Sequence, residues 1–169
     1  RNFIDGRPLG FWKTTTNGLA SVFRYNMDSP TPRGPVRFLP GSGSLRVAMR
    51  NGKVAFTTGF TGAGYPAPTP AIFRESTNGF DLVAASGMTV PTTDWRLGSD
   101  FAVAPIFMNK SNEVAFLAGF IDPSTNRFRR ALWVEGRDRY IRRVCYVGQE
   151  IEVGGVKRTV AFVGPPPSI

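Results

Sequence analysis

A repeated segment of about 60 residues constrains the fold of this chain more than any other feature. Three short apolar segments recur at this offset, and the matched pairs are 54–56 with 114–116, 59–60 with 119–120, and 71–73 with 131–133. Several matches in one register indicate a tandem repeat, because repeat units bury their apolar faces against neighbours of the same kind.

A third copy of the repeat precedes these two. Trp12 lies shortly before an Asn-Gly pair at 17–18, as Phe73 does before the pair at 78–79, and Val22 aligns with Val83 and Val144. We therefore predict a single repeat domain over residues 1–169, with units at about 1–48, 49–108 and 109–169.

Turn residues divide each unit into short β-strands. In the middle unit we expect four strands, at 45–49, 53–58, 70–75 and 81–86. Asn51 and Gly52 predict a type I′ hairpin turn, in which both central residues need positive φ. Asn112 takes the place of Gly52 in the last unit, and Asn also tolerates that region. Within 53–57, Val54 and Phe56 share one face, with smaller or polar residues opposite, as a strand requires.

The ends of the chain align with interior segments of the repeat. Residues 3–5 match 120–122, and residues 163–169 resemble the segment that starts at Ala104. The chain is thus expected to hold three units less one turn and one strand, or eleven strands in place of twelve. The open strand edges are expected to pair with neighbouring repeats or with another copy, giving a homo-oligomer.

Composition argues against catalysis. The chain has no histidine and one cysteine, Cys145, which we expect in a buried strand. No nucleotide-binding, nucleophile-elbow or paired-cysteine motif occurs, so we predict no catalytic, cofactor or metal site and no enzyme. Residues 41–44 are interpreted as a loop, and the alternating Asp122, Ser124 and Asn126 as a turn in preference to a calcium site. No apolar run reaches the roughly 20 residues that span a bilayer.

A cluster of arginines near the end of the chain is the most distinctive charged feature. The formal net charge is +9, and most of the cations are arginines, which bind carboxylate, phosphate and sulfate in a planar fork. One interpretation is a face for acidic glycans, nucleic acid or an acidic subunit; the other is a solvated edge that prevents unwanted strand pairing. The cluster comprises Arg127, Arg129, Arg130, Arg137, Arg139, Arg142 and Arg143.

Sites of modification are a separate possibility. Asn109 begins an Asn-Lys-Ser glycosylation sequon, and the Pro-rich segments 29–32 and 65–70 contain acceptors for O-linked sugars. The alternative is that these two segments are stiff, unmodified loops.

The order of these segments resembles a bacterial surface tandem-repeat family with an Asn-x-x-Gly-x-x-Ala-Phe motif. The resemblance rests on an Asn or Gly turn followed by Val-Ala-Phe at 54–56 and 114–116, then the apolar segments at 71–73 and 131–133. A valine-containing strand closed by Gly87 or Gly148 completes it. The resemblance implies β-propeller-like blades on exported or cell-surface proteins, and it carries no catalytic residue.

Two functions follow as expectations. The first is a non-enzymatic, extracellular structural or self-assembling repeat protein of a bacterial cell surface or filament. The alternative is a propeller lectin or adhesin that binds acidic glycans, such as an acidic polysaccharide, through the arginine-rich face. Nucleic acid is disfavoured as a partner, because the resemblance implies an extracellular location.

Overall fold

The chain folds into β-strands joined by turns. A computed structural model describes residues 3–4, 7–8, 10–39, 45–100 and 104–161, and these contain no α-helix. The predicted all-β class is confirmed. The same residues contain no helix of the length and apolarity that crossing a bilayer demands. The strands are β1 (Phe3–Ile4), β2 (Arg7–Pro8), β3 (Gly10–Thr15), β4 (Gly18–Arg24), β5 (Asp28–Ser29), β6 (Val36–Leu39), β7 (Val47–Arg50), β8 (Lys53–Gly62), β9 (Tyr65–Ser76), β10 (Gly79–Ala85), β11 (Arg96–Leu97), β12 (Ile106–Met108), β13 (Val114–Asp122), β14 (Arg127–Glu135), β15 (Ile141–Tyr146), β16 (Glu150–Val153) and β17 (Val156–Thr159).

Three antiparallel sheets follow one another along the chain. Sheet I is β3 with β4; sheet II has the order β10-β9-β8-β6-β5, with β7 also on β8; sheet III has the order β11-β13-β14-β15, with β12 also on β13. The hairpins β1–β2 and β16–β17 stand apart from these sheets. Sheets II and III thus have six and five strands instead of the expected four. Each long central strand pairs with two short strands along one edge, and in sheet II β5 pairs in turn with β6.

The three sheets carry the same β-bulge. In each hairpin of a sheet's last two strands the register shifts by one residue, which leaves one residue without an opposite partner. The unpaired residues are Val22 in β4, Val83 in β10 and Val144 in β15. These are the three valines that the sequence alignment placed in register, so the aligned positions have equivalent backbone geometry.

A hydrogen bond after each sheet also recurs. The second residue after the sheet's last strand has positive φ, and its N–H donates to a carbonyl about 10–12 residues further on. The donor and acceptor pairs are Asn26 with Phe38, Gly87 with Leu97, and Gly148 with Val160, at 2.8, 2.9 and 2.7 Å. In the first two cases the acceptor lies in β6 or β11, the short strand that joins the edge of the next sheet.

The sheets stack face to face, and both faces of sheet II are buried. We call the face toward the next sheet in the chain the forward face and the opposite one the rear face. Phe56 on the rear face of sheet II stacks on Phe23 of sheet I, with ring centroids 4.3 Å apart. Ile72 on the forward face packs in one apolar cluster with Phe116 and Trp133 of sheet III. Alternate residues of β8 therefore serve two different cores, as the alternation at 53–57 predicted for its two faces.

The predicted strands of the middle unit are present with shifted ends. β7, β8, β9 and β10 overlap the predicted ranges, and β8 continues to Gly62. Asn51 and Gly52 have φ of 48° and 71°, and Asn112 has φ of 60°, so the predicted turn chemistry is confirmed. Cys145 lies in β15 but is only half-buried, since it is on the forward face of sheet III.

One of the two Pro-rich segments is not a loop, contrary to expectation. Residues 65–70 form the first half of β9, where the prolines alternate, so the missing N–H groups fall on one edge of the strand. Among the described residues no strand pairs with that edge there, because β10 pairs only with residues 71–76 of β9. In the other segment Ser29 belongs to β5 and is buried, but residues 30–32 lie outside any strand, as expected. The loop expected at 41–44 and the matched segment at 163–169 lie outside the described residues.

Candidate functional site

A buried ion pair joins sheets II and III. Arg74 in β9 and Glu135 in β14 each have 3% of their side chain exposed, and one guanidinium nitrogen lies 2.6 Å from both carboxylate oxygens. Arg74 also donates to Asp81 in β10 and to the carbonyl of Asn112, the latter at 3.4 Å. Glu135 accepts in addition from the N–H of Val114 at 3.3 Å. These bonds satisfy charges that burial would otherwise make costly.

An equivalent ion pair joins sheets I and II. Lys13 in β3 lies 2.6 Å from the carboxylate of Glu75 in β9, and its ammonium donates to the carbonyl of Gly52 at 2.9 Å. In the repeat alignment Lys13 corresponds to Arg74, Glu75 to Glu135, and Gly52 to Asn112. A cation on each forward face thus holds both a carboxylate and a hairpin turn of the next sheet. We call this arrangement the inter-sheet lock.

The lock borders an open cleft of about 240 Å³ between sheets II and III. Lys53 and Arg139 add cations to its lining, and Arg139 lies 3.8 Å from Glu135. The Asn112 side-chain oxygen is buried there without a hydrogen-bond partner. The lining is completed by Arg74, Glu75, Ser76, Thr77 and Asp81. It is polar and carries both signs of charge.

The arginines singled out by the sequence do not share one face. Arg129 and Arg143 point toward an aromatic group on the rear side of sheet III, where the Arg143 guanidinium lies 3.7 Å from the ring centroid of Trp95 and 4.3 Å from that of Tyr146. Arg129 lies 5.1 Å from the Tyr146 ring. Burial among these rings lowers the pKa of Arg143. These two cations are therefore committed to packing.

The other arginines of the cluster face solvent at separate places. Four have a carboxylate within ion-pair distance: Arg130 with Asp100, Arg137 with Glu113, Arg139 with Glu135, and Arg142 with Asp138. The hydrogen bond from Arg142 lowers the pKa of Asp138 to about 2. Arg127 is exposed at the start of β14, and Arg137 is 92% exposed in the turn before β15. The cluster is therefore dispersed over the sheet, its edge and its turn.

The sequon residue Asn109 is exposed at the turn between β12 and β13. Its side-chain oxygen accepts from the N–H groups of Ser111 and Glu113, at 2.9 and 3.0 Å, and its amide donates to the Glu113 carboxylate. Asp122 forms a similar local turn with Ser124.

Sequence reasoning missed the residues of the inter-sheet lock. The available signal was the recurrence of charge at the repeat offset, with a cation at 13 and 74 and a carboxylate at 75 and 135. The alignment rests on apolar and turn residues, and it gave no prediction for these charged positions. The partners are about 60 residues apart, and local spacing gives no indication that they meet.

The charged side chains of the two locks pair with one another across the sheets. The cations and carboxylates of the lock neutralise one another, and among the described residues no group of three or more acidic, His or Cys side chains is placed to hold a metal. Each lock fixes the distance and register between two stacked sheets.

Comparison with known proteins gives a family without a described activity. No curated protein and no solved structure matches the chain. A family model described as a family of unknown function (DUF7453) matches residues 2–163, which is nearly the whole chain. The protein therefore belongs to the DUF7453 family.

Proposed function

We propose that this protein is a non-enzymatic structural module of an exported or cell-surface bacterial protein. Its sheets act as propeller-like blades in a tandem array, and the array associates with copies of itself. The observation that carries this proposal is the burial of sheet II on both faces by sheets built like itself.

The repeated interface supports an assembling role. Sheets I and II, and sheets II and III, meet through aromatic side chains of the later sheet and through an inter-sheet lock at equivalent positions. A unit that presents one face to the preceding sheet and another to the next can be extended by adding units. The charged side chains of the two locks pair with one another across these interfaces, as a structural role requires.

Light scattering and electron microscopy of the purified chain test the proposal. We expect the apparent mass to exceed that of a monomer and to rise with protein concentration, and the images to contain rings or filaments. A monodisperse monomer at every concentration, in a chain whose intact mass matches its sequence, would contradict self-association.

The alternative is a lectin or adhesin for acidic glycans. It draws support from the net charge of +9 and from the cations Lys53 and Arg139 in the cleft between sheets II and III. Carboxylate or sulfate groups of a polysaccharide would bind these cations in a salt-dependent manner. We expect retention on an acidic polysaccharide matrix at low salt that is lost in Lys53→Gln with Arg139→Gln. The matched control is Arg33→Gln with Arg46→Gln, and no retention of the unsubstituted chain would end this alternative.

A further inference from the structure

The forward face of sheet III is exposed where the equivalent face of sheet II is covered. Val144 is 53% exposed, whereas its counterpart Val83 is 4% exposed beneath sheet III. Cys145 is half-buried, while its counterpart Ala84 is fully buried. Sheet III therefore presents the surface that, one unit earlier, binds the rear face of another sheet.

The rear face of sheet I is also exposed, whereas the rear faces of sheets II and III are each covered by the sheet before them. Trp12 is 45% exposed, although its counterparts Phe73 and Trp133 are fully buried against the sheet before them. An apolar ring that anchors the other two interfaces is thus in contact with solvent. Exposed aromatic side chains of this kind are enriched at protein interfaces.

The charges of the lock are replaced at both of these faces. The cation position of sheets I and II holds Val134 in sheet III, and the carboxylate position of sheets II and III holds Thr14 in sheet I. If the two faces met in the register of the other interfaces, Val134 would oppose Thr14. No charge would be buried unpaired at these two positions, and Arg24, whose guanidinium lies 5.3 Å from the centroid of the Trp12 ring, is the cation that this contact has to accommodate.

Two strand edges, those of β17 and β1, support the same contact between sheet III and sheet I. β6 and β11 each follow a sheet and join the long strand of the next one, with Phe38 opposite Phe60 and Leu97 opposite Phe120. The corresponding hairpin after sheet III, β16–β17, pairs with no further strand among the described residues. In the alignment, β1 corresponds to the segment of β8 that pairs with β6 and to the segment of β13 that pairs with β11. Among the described residues, β1 pairs only with β2.

We infer that two copies of this chain associate head to tail, with the forward face of sheet III of one copy on the rear face of sheet I of the next. The β17 edge of the first copy adds to β1 of the second. This inference rests on the proposed function and assigns its interface. A head-to-tail contact is heterologous, so it produces closed rings or open filaments and not simple two-fold dimers.

A charge-rescue experiment tests this register. Val134→Arg places a cation opposite Thr14, and we expect association to weaken ~30-fold or more because the cation is buried without a partner. Thr14→Glu alone has the same effect with the opposite sign of charge. Combining the two in one chain recreates the lock between copies and restores association. Met27→Arg, at a side chain 47% exposed in a turn, is the matched control and leaves association unchanged.

Covalent capture gives a second measurement that does not depend on affinity. In a Cys145→Ser background, a chain with Val134→Cys is mixed with a chain with Thr14→Cys and treated with a short bis-maleimide cross-linker, because face-to-face sheets lie about 10 Å apart and a direct disulfide needs Cα atoms within about 7 Å. We expect a cross-linked heterodimer as the main product, and a ladder of larger species when both substitutions are in one chain.

Each outcome separates the interface from the function. If the unsubstituted chain associates but Val134→Arg associates equally well, the head-to-tail interface is wrong while self-association stands. If Val134→Arg weakens association but the double variant does not restore it, the proposed register is overturned. A chain that stays monomeric at all concentrations refutes both proposals.

Discussion

Removing Arg74 leaves a carboxylate stranded between two sheets. Arg74 and Glu135 are each 3% exposed, so in Arg74→Met the Glu135 carboxylate loses its main partner without gaining access to water. Breaking a buried ion pair by removing one partner costs about 3–5 kcal/mol. Asp81 loses the same cation, but at 31% exposure it can be hydrated and adds little. We therefore expect Arg74→Met to lower the free energy of unfolding by about 3–5 kcal/mol.

The second half of the prediction concerns the double variant. In Arg74→Met with Glu135→Leu no charge is left stranded, and such apolar replacements of buried ion pairs are often neutral, within about 1 kcal/mol. The double variant should thus regain most of the stability lost by the single one. Urea unfolding followed by tryptophan fluorescence, to which the buried Trp133 of sheet III contributes, measures both changes.

More exposed ion pairs of the same chain are the controls. Lys13→Met affects a pair whose side chains are 16% and 20% exposed, and we expect a smaller loss, about 1–2 kcal/mol. Arg37→Met affects a pair with Asp28 in which both side chains are more than half exposed, and its effect should stay below about 1 kcal/mol. If Arg74→Met costs no more than Arg37→Met, or if the double variant is no more stable than the single one, the lock does not hold the sheets together.

Three further predictions concern backbone, charge and core. Gly62 and Gly18 both have φ above 100°, but a Cβ at Gly62 would lie 2.6 Å from a backbone carbonyl oxygen, while a Cβ at Gly18 would have no atom within 4 Å. Gly62→Ala should therefore lower the free energy of unfolding in urea by at least ~1 kcal/mol more than Gly18→Ala. The pKa of Asp138 is lowered to about 2 by Arg142, so the stabilisation from this pair is present above pH 4 and is lost as the pH falls toward 2. Arg142→Gln should raise the pKa of Asp138 toward 3.8, and NMR titration of the carboxyl group measures this change. Phe56→Ala, at the centre of the aromatic cluster between sheets I and II, should cost about 3–5 kcal/mol, and a loss below ~1 kcal/mol would contradict its role there.

Local features were predictable from the sequence, because each depends on a few adjacent residues. The turn at Asn51 and Gly52 needs positive φ at two positions, and only these residue types accept it readily. The alignment of Val22 with Val83 and Val144 was visible too, but the bulge at those positions was not. A bulge depends on which residues face each other across two strands, and a single strand does not encode that register.

Features that join distant segments were not predictable in the same way. Residues 65–70 were expected to form a loop because Pro at three alternate positions disfavours a central strand, yet the strand is tolerated where its second edge is free. The arginine cluster was expected to form either a binding face or a solvated edge, because its members are close in sequence. Alternation in β14 and β15 sends neighbouring arginines to opposite faces, where Arg143 stacks on Trp95 and Arg142 binds Asp138.

The two locks differ in the cation that each interface holds. Lys13, at the more exposed interface, is a compact cation that remains partly hydrated, whereas the Arg74 guanidinium serves two carboxylates and a carbonyl in a nearly dry site. If the two cations were exchanged, the lysine between sheets II and III would leave some of the acceptors there without a donor. The larger arginine would crowd the interface between sheets I and II. With Val134 and Thr14 at the outer faces, the three possible contacts carry Lys–Glu, Arg–Glu and neutral pairs. A charged face that met Val134 or Thr14 would bury its charge without a partner, so these charges disfavour contacts between an inner face and an outer face.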